Sequence, residues 1–295
     1  MIPLGTHSDP DTRPHPAQCL PAWPWLAALL LAGAAVWLGA GRPNPAGRQA
    51  EDVEGAEALE TPPADTKPGQ ELTPAEAEHE REWARQRERM VELDLGGRDI
   101  RNRRVLAAMG KVPRHAFVPS RVAHLAYADR ALPIGHEQTI SQPYIVALMT
   151  QAADPQPEHK VLEVGTGSGY QAAVLAELVA EVYTIELVPA LAREATARLK
   201  RLGYGNVHAR AGDGYLGWPK AAPFDAILVT CGADHVPRPL WEQLKPGGKM
   251  VIPVGPPGRM WLRVLTKGAD GKERSRDLTP VRFVPLRRPG DRPEK

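Results

Sequence analysis

The segment "EVGTGSGY", residues 163–170, places a carboxylate ahead of three glycines at alternate positions. Glycine suits a sharp backbone turn that must approach a ligand with no Cβ in the way. A dinucleotide fingerprint, G-x-G-x-x-G, would need its third glycine at position 170, so Tyr170 argues against a pyrophosphate site. A purely structural turn is the alternative, but the flanking elements favour binding of a cofactor by Glu163, Gly165, Thr166, Gly167, Ser168, Gly169 and Tyr170.

A second carboxylate, Glu186, ends the next apolar run along the chain, "EVYTIE". A carboxylate at the tip of that predicted strand is placed to bind the ribose hydroxyls of a nucleoside. Thr230 ends a third apolar run, "AILVT", which we predict to be a buried strand. The chemistry indicated by these residues is therefore the binding of a nucleoside cofactor.

Strands and helices alternate around these residues. The strand "VLEV", the glycine turn and the apolar-faced helix "YQAAVLAELV" form one unit. The helix "PALAREATARLKRLG", the strand "NVHARAG", the helix "RPLWEQLKPGG" and the strand "KMVIPVG" continue the pattern, and a hairpin is expected around "GADGK". We predict an α/β fold with a doubly wound, Rossmann-like sheet, mostly parallel with an antiparallel C-terminal strand, and with helices on both faces. In such sheets ligands bind beyond the carboxyl ends of the strands.

The short polar segment "TISQP", residues 139–143, lies upstream of the glycine turn. Serine is a favoured helix N-cap and proline is tolerated in the first turn, so Ser141 and Pro143 are predicted to begin the helix "YIVALMTQAA". A hydroxyl at this place could equally contact a substrate. Both interpretations of Ser141 stay open on local grounds.

The composition is that of a globular protein, with 42% hydrophobic and 24% charged residues in a chain of 295. The net charge of +2 arises from interleaved acidic and basic residues, so no nucleic-acid partner is predicted. Cys19 and Cys231 are far apart and have neither a disulfide pattern nor zinc-ligand spacing. No metal site is predicted.

Together these motifs resemble a known family. The pattern E-x-G-x-G-x-G resembles motif I of class I S-adenosylmethionine-dependent methyltransferases. Over about residues 98–288, "VPRHAFVP", "LPIGHEQTISQP", "GDGYLGWP", "LKPGGKMVIPVG" and "RFVPL" resemble protein-L-isoaspartate (D-aspartate) O-methyltransferases. The segments "LPIGHEQTISQP" and "RFVPL" are the most specific, because they lie outside the general cofactor-binding fold.

The resemblance implies an enzyme that uses S-adenosyl-L-methionine and releases S-adenosyl-L-homocysteine. Its substrates would be proteins and peptides with L-isoaspartyl residues, and the family name adds D-aspartyl residues. Methyl esterification of the α-carboxyl group would start repair through a succinimide. The resemblance implies that Ser141 is the active-site residue and that Asp213, Gly214 and Thr230 bind the cofactor. It also implies that the peptide groove is lined by Gln138, Thr139, Ile140, Val284, Pro285 and Leu286.

This chemistry needs few acid–base groups, because a carboxylate is already ionised near neutral pH. Ser141 would orient that carboxylate with a hydrogen bond. One departure from the family pattern is the loop "TCGADHVP", where relatives often have two alanines and a proline after the threonine, so no further ligand is carried over from it. The alternatives are a class I methyltransferase for another carboxylate or small molecule, and a binding protein that keeps the fold without turnover.

The first 74 residues differ in composition from the rest. Residues 25–41 are uncharged and almost wholly apolar, so residues 1–41 are predicted to form an export signal or membrane anchor, with membrane contact through residues 20–41. A buried helix is the alternative. Residues 42–74, rich in Pro, Gly, Ala and acids, are predicted to be a disordered linker. Residues 75–295 would form the isoaspartyl methyltransferase domain, beginning with a charged helix.

The family and the supply of the cofactor predict a cytoplasmic enzyme, whereas the N-terminal segment predicts an anchor or export. A monomer is expected.

Overall fold

The computed structural model describes residues 73–291. The predicted export signal or anchor over residues 1–41, and all but the last two residues of the predicted linker, lie outside this range. Among the described residues, no helix has both the length and the apolar character needed to cross a membrane.

The described chain alternates helices and strands through most of its length. Between residues 73 and 291 the α-helices are α1 (Pro74–Arg89), α2 (Arg103–Lys111), α3 (Pro143–Ala153), α4 (Tyr170–Ala176), α5 (Pro189–Arg201) and α6 (Arg238–Gln243). The strands over the same range are β1 (Leu132–Gly135), β2 (Gln138–Ile140), β3 (Lys160–Val164), β4 (Glu181–Glu186), β5 (Val207–Ala211), β6 (Phe224–Val229), β7 (Leu244–Val254), β8 (Met260–Lys267) and β9 (Glu273–Val281).

The main sheet has seven strands in the order β5-β4-β3-β6-β7-β8-β9. The five strands from β5 to β7 are parallel, and β8 runs antiparallel to both of its neighbours. The predicted doubly wound, mostly parallel sheet with an antiparallel strand near the C-terminus is confirmed. The strand order reverses between β3 and β6, and an open sheet of this kind binds its ligand at such a reversal.

Helices cover both faces of this sheet, as predicted. In β6, Ala226 and Leu228 pack into the core cluster that includes α3 and α4, whereas Ile227 and Val229 pack into the cluster that includes Leu240 of α6. Successive side chains of a strand point to opposite faces, so a strand covered on both sides must be apolar throughout. That requirement explains the unbroken apolar runs in the sequence.

Two elements differ from the sequence-based expectation. Helix α6 ends at Gln243, and "LKPGG" begins β7 instead, because Pro246 disfavours helical backbone at the residue before it. The hairpin of β1 and β2 was not predicted. Its turn places His136 and Glu137 in the left-handed region, with φ of 51° and 59°, where hairpin turns usually have Asn or Gly.

Candidate active site

A cavity opens at the carboxyl ends of β3, β4 and β6, beside the reversal of strand order. We call it the cofactor cavity. Of the predicted cofactor-binding residues, those that line it are Glu163, Gly165, Thr166, Gly167, Ser168, Tyr170, Glu186, Gly214 and Thr230. Ser141 lines the same cavity, as do the predicted groove residues Gln138, Thr139, Ile140, Val284, Pro285 and Leu286.

The glycine turn has the backbone that its sequence demands. Gly165, Gly167 and Gly169 have φ of 101°, 52° and 91°, a region that side chains with a Cβ rarely adopt. A Cβ added to Gly165 would lie 2.5 Å from the Thr230 hydroxyl oxygen. That hydroxyl donates to the carbonyls of Gly165, at 2.7 Å, and Val164, at 3.0 Å. Thr230 therefore fixes the turn to the neighbouring strand end.

Glu186 holds the other side of the turn. Its Oε2 accepts the Gly167 N–H at 2.8 Å, and its Oε1 accepts the Val188 N–H at 2.9 Å. Each carboxylate oxygen has a second lone pair, so both can still accept a hydroxyl hydrogen bond from a ligand. The carboxylate is thus fixed in place on the cavity wall.

Glu163 is fully buried and yet lines the cofactor cavity. The Thr184 hydroxyl donates to its Oε2 at 2.6 Å, and the Thr166 hydroxyl lies 2.6 Å from that of Thr184. Its Oε1 has no hydrogen-bond partner among the described residues. Burial raises the pKa of Glu163 to about 8, and the nearby Glu186 acts in the same direction. A buried carboxyl with an unused acceptor is suited to a cationic ligand.

Helix α3 begins in a way that the sequence did not predict. Its N-cap residue is Gln142 and not Ser141, so the prediction that Ser141 caps the helix is wrong. Instead, Asp129 comes from a preceding loop and accepts the Tyr144 N–H at 2.9 Å. Pro143 lies in the first turn, as predicted. Within residues 73–291, no group hydrogen-bonds the Ser141 hydroxyl, which is left available to a ligand.

The Ser141 backbone is held by a buried cation that the sequence did not single out. Arg114 is fully buried, and its guanidinium donates to the carbonyls of Ala126 and Ser141, each at 2.7 Å. The guanidinium carbon also lies 4.7 Å from the centre of the Tyr170 ring. Arg114 therefore links the segment of Ser141 to the helix that follows the glycine turn.

The C-terminal segment is held by the loop that departs from the family pattern. The Gly232 N–H donates to the Val284 carbonyl at 2.8 Å, and the Leu286 N–H donates to the Gly232 carbonyl at 2.7 Å. A Cβ on Gly232 would lie 2.3 Å from the Met260 sulfur, so a larger residue here would require the Met260 side chain to move. This role was missed because backbone pairing between distant segments has no local sequence signal.

Two predicted cofactor-binding residues do not line the cavity. Gly169 packs against Leu199 of α5, where a Cβ would meet the leucine side chain at 3.2 Å. Asp213 accepts the Tyr215 N–H at 2.8 Å and so caps the short turn of residues 214–216. Contact of Asp213 with the cofactor stays a prediction.

The residues of the cavity fit S-adenosyl-L-methionine. The unpartnered Glu163 oxygen suits a positive charge, the Glu186 carboxylate suits ribose hydroxyls, and the glycine turn lets the ligand approach the backbone. Among residues 73–291, no cluster of His, Cys, Asp and Glu could hold a metal ion.

Comparisons with known proteins agree with this site. The family described as protein-L-isoaspartate(D-aspartate) O-methyltransferase (PCMT) matches residues 85–289. A protein-L-isoaspartate O-methyltransferase of Opitutus terrae is 60% identical over 215 residues, which is 72% of this chain and 92% of that protein. A protein-L-isoaspartate O-methyltransferase 2 of an Anaeromyxobacter species is 58% identical, over 70% of this chain and 84% of that protein.

Solved structures of the same family share the fold. One protein-L-isoaspartate O-methyltransferase superposes with a TM-score of 0.62 at 29% identity, covering 68% of this chain and 65% of its own. A Plasmodium falciparum protein, described as a putative member in complex with S-adenosyl-L-homocysteine, gives a TM-score of 0.60 at 25% identity, covering 68% and 98%. The chain therefore belongs to the protein-L-isoaspartate O-methyltransferase family, enzymes that use S-adenosyl-L-methionine to methylate isoaspartyl residues of proteins.

Proposed function

We propose that Ser141 orients the α-carboxylate of an isoaspartyl residue for methyl transfer. The observation that carries this role is the place of Ser141 on a wall shared by two cavities. The cofactor cavity lies on one side, and a second cavity near β8 and β9 lies on the other. Thr139, Thr230 and Val284 line both cavities as well. The free hydroxyl of Ser141 lies where a bound peptide and a bound cofactor would meet.

Methyl transfer requires this chain mainly to position the substrate carboxylate and the methyl donor. S-adenosyl-L-methionine, when bound, supplies a methyl group on a sulfonium, whose leaving group is a neutral thioether. The substrate carboxylate is ionised near neutral pH, so no general base is needed. The Ser141 hydroxyl donates to one carboxylate oxygen and leaves the other free to attack. Holding the reacting groups close and aligned then supplies most of the rate gain.

The remaining residues of the site have matching roles in this proposal. Glu163 and the glycine turn bind the charged end of the cofactor, and Glu186 binds its ribose. Gly214 borders the nucleoside, with Asp213 next to it. Backbone and side chains of residues 138–140 and 284–286 bind the peptide on either side of the isoaspartyl residue.

The test is a methyl-transfer assay on residues 73–295, with an isoaspartyl peptide and its aspartyl twin as substrates. Methyl ester is expected on the isoaspartyl peptide only. Replacing Ser141 with Ala should lower kcat by about 10- to 100-fold, the usual value of a hydrogen bond to a charged group, and leave the affinity for S-adenosyl-L-homocysteine nearly unchanged. Full turnover of Ser141→Ala would refute the orienting role.

For the rest of the chain, we propose that residues 1–41 are an export signal or anchor, residues 42–74 a linker, and residues 75–295 the catalytic domain. With residues 1–41 retained as an anchor, the catalytic domain would face the cytoplasm, where the cofactor is made, and it would work as a monomer. Cell fractionation, sequencing of the mature N-terminus and size-exclusion chromatography test these points. Recovery of the enzyme outside the cytoplasm would contradict the cytoplasmic assignment.

A further inference from the structure

The second cavity, which we call the flank cavity, lies beyond Ser141 as seen from the cofactor cavity. Its volume is about 620 Å³, enough for several side chains of a bound peptide. Its walls come from the start of α3, from the turn between β7 and β8, and from the chain after β9. A peptide whose isoaspartyl residue meets Ser141 would place its neighbouring residues here.

The charged residues lining this cavity are both basic. Arg259 and Arg282 line it, and no aspartate or glutamate does. Both side chains are exposed, and neither forms an ion pair within residues 73–291. The nearby Arg263, by contrast, pairs with Asp277 at 2.6 Å. The flank cavity therefore has two guanidinium groups with no carboxylate of this chain to neutralise them.

The other walls suit the apolar part of a side chain. Trp261 is 44% exposed, although large aromatic residues are usually covered. Phe283 and Ile145 are half-buried beside it. An acidic side chain, with short apolar methylenes and a terminal carboxylate, matches both the apolar walls and the two arginines.

We propose that Arg259 and Arg282 select isoaspartyl sites that have an acidic residue close by in the substrate. The proposal rests on the methyl-transfer function given above and adds a sequence preference to it. Arginine recognises carboxylates through paired N–H donors, which favours Asp and Glu over neutral side chains. Each exposed ion pair is worth little, so the preference should be moderate and sensitive to salt.

The test compares peptides that share one isoaspartyl residue and differ in one neighbour. Glu, Gln or Lys is placed in turn at the two residues before and the two after the isoaspartyl residue. For at least one position, we expect kcat/KM for the Glu peptide to exceed that for the Gln peptide by about 3- to 10-fold at low salt, mainly through KM. The Lys peptide should be the poorest, and high salt should reduce the differences.

Matched variants separate local recognition from net charge. The double variant Arg259→Gln/Arg282→Gln should lose the preference for Glu. The control Arg274→Gln/Arg276→Gln removes the same charge from exposed positions on β9 that do not line the cavity. This control should keep the preference for Glu.

Every outcome of these measurements either supports or overturns the proposed preference for acidic neighbours. Equal kcat/KM for Glu, Gln and Lys at all four positions would overturn the proposal while leaving isoaspartyl methylation intact. A preference that survives in the Arg259→Gln/Arg282→Gln variant, or disappears in the control, would also overturn it. Failure to methylate any isoaspartyl peptide would instead contradict the proposed function itself.

Discussion

The two sides of the proposed reaction site are built in different ways. The cofactor side consists of strand ends and the glycine turn. Glu163, Gly165 and Glu186 lie within the 24 residues that run from β3, through the turn and α4, to the end of the adjacent parallel strand β4. The substrate side consists of the segment around Ser141 and the segment 284–286. These segments are far apart in sequence and are held by contacts from other parts of the chain.

Because the two sides are held by different contacts, substitutions on each side should have different consequences. On the cofactor side, the backbone geometry is set by the glycines of the turn and by the adjacent strand ends that hold it, so a substitution there should affect cofactor binding first. On the substrate side, the hydroxyl of Ser141 depends on Arg114 and Asp129, which touch neither cavity. A substitution there should affect turnover while the affinity for the cofactor is kept.

On the substrate side, the largest effect is expected from Arg114→Met. The carbonyls of Ala126 and Ser141 would lose a donor in a buried setting, which we expect to lower the free energy of unfolding by about 3 kcal/mol. Turnover should fall more than the affinity for S-adenosyl-L-homocysteine, because the segment of Ser141 is released. Urea denaturation, kcat and calorimetric binding measure the three quantities.

Arg104→Met is the matched control for this variant. Arg104 also donates to two carbonyls, those of Pro155 at 2.9 Å and Leu178 at 2.7 Å, but it does so away from both cavities. The Arg104→Met variant should be less stable than the wild type but should keep the wild-type kcat at temperatures where it is folded. Equal losses of kcat in the two variants would show that Arg114 has only a structural role.

The corresponding test of the cofactor side is Gly165→Ala. The new Cβ would overlap the Thr230 hydroxyl in a backbone conformation with φ of 101°. Strain and displacement of the turn should weaken binding of S-adenosyl-L-homocysteine by about 30-fold, or ~2 kcal/mol. Gly203→Ala is the control, since Gly203 has φ of 84° and open space around its Cβ. Similar losses of affinity in both variants would count against a specific role of the Gly165 turn.

On the cofactor side, the buried Glu163 should make the stability of the protein depend on pH. Its folded pKa of about 8 lies above the unfolded value of 4.5, so the folded state holds an extra proton between these values. Stability without cofactor should therefore fall as pH rises through this window, by up to ~1.4 kcal/mol per pH unit, and the loss should be complete above about pH 8. Glu163→Gln should remove that part of the pH dependence.

Urea denaturation at a series of pH values measures this effect as the difference between wild type and variant. Glu181→Gln, at the start of the neighbouring strand β4, is the control, because it removes a carboxylate that does not line the cofactor cavity. A constant difference between wild type and Glu163→Gln across the window would contradict a buried, neutral Glu163.

The same contrast explains how much the sequence could predict. The sheet, its order of elements and the glycine turn follow from local patterns: apolar strands, left-handed glycines and terminal carboxylates. The β1–β2 hairpin was missed because His136 and Glu137 are not the residues that such turns favour. The cap of α3 was misassigned because the capping carboxylate of Asp129 comes from outside the "TISQP" segment. The flank cavity forms only when the chain after β9 meets the β7–β8 turn and the start of α3.

The smallest effect is expected from Asp129→Ala, a substitution on the substrate side. The Tyr144 N–H and the Gln142 side chain would lose their acceptor, at a cost of about 1 kcal/mol in the free energy of unfolding. With the end of α3 uncapped, we expect the Ser141 hydroxyl to turn toward the Tyr144 N–H, as a serine three residues before it can do at a helix start. The hydroxyl would then be lost to the substrate, so kcat should fall several-fold while the affinity for cofactor is kept. Asp129→Asn keeps an acceptor for the Tyr144 N–H and should restore most of the turnover, although it loses the ion pair with Arg98. If Asp129→Ala had wild-type stability and kcat, then Asp129 would not be what leaves Ser141 free, and the hydroxyl would owe its availability to the Arg114 bond alone.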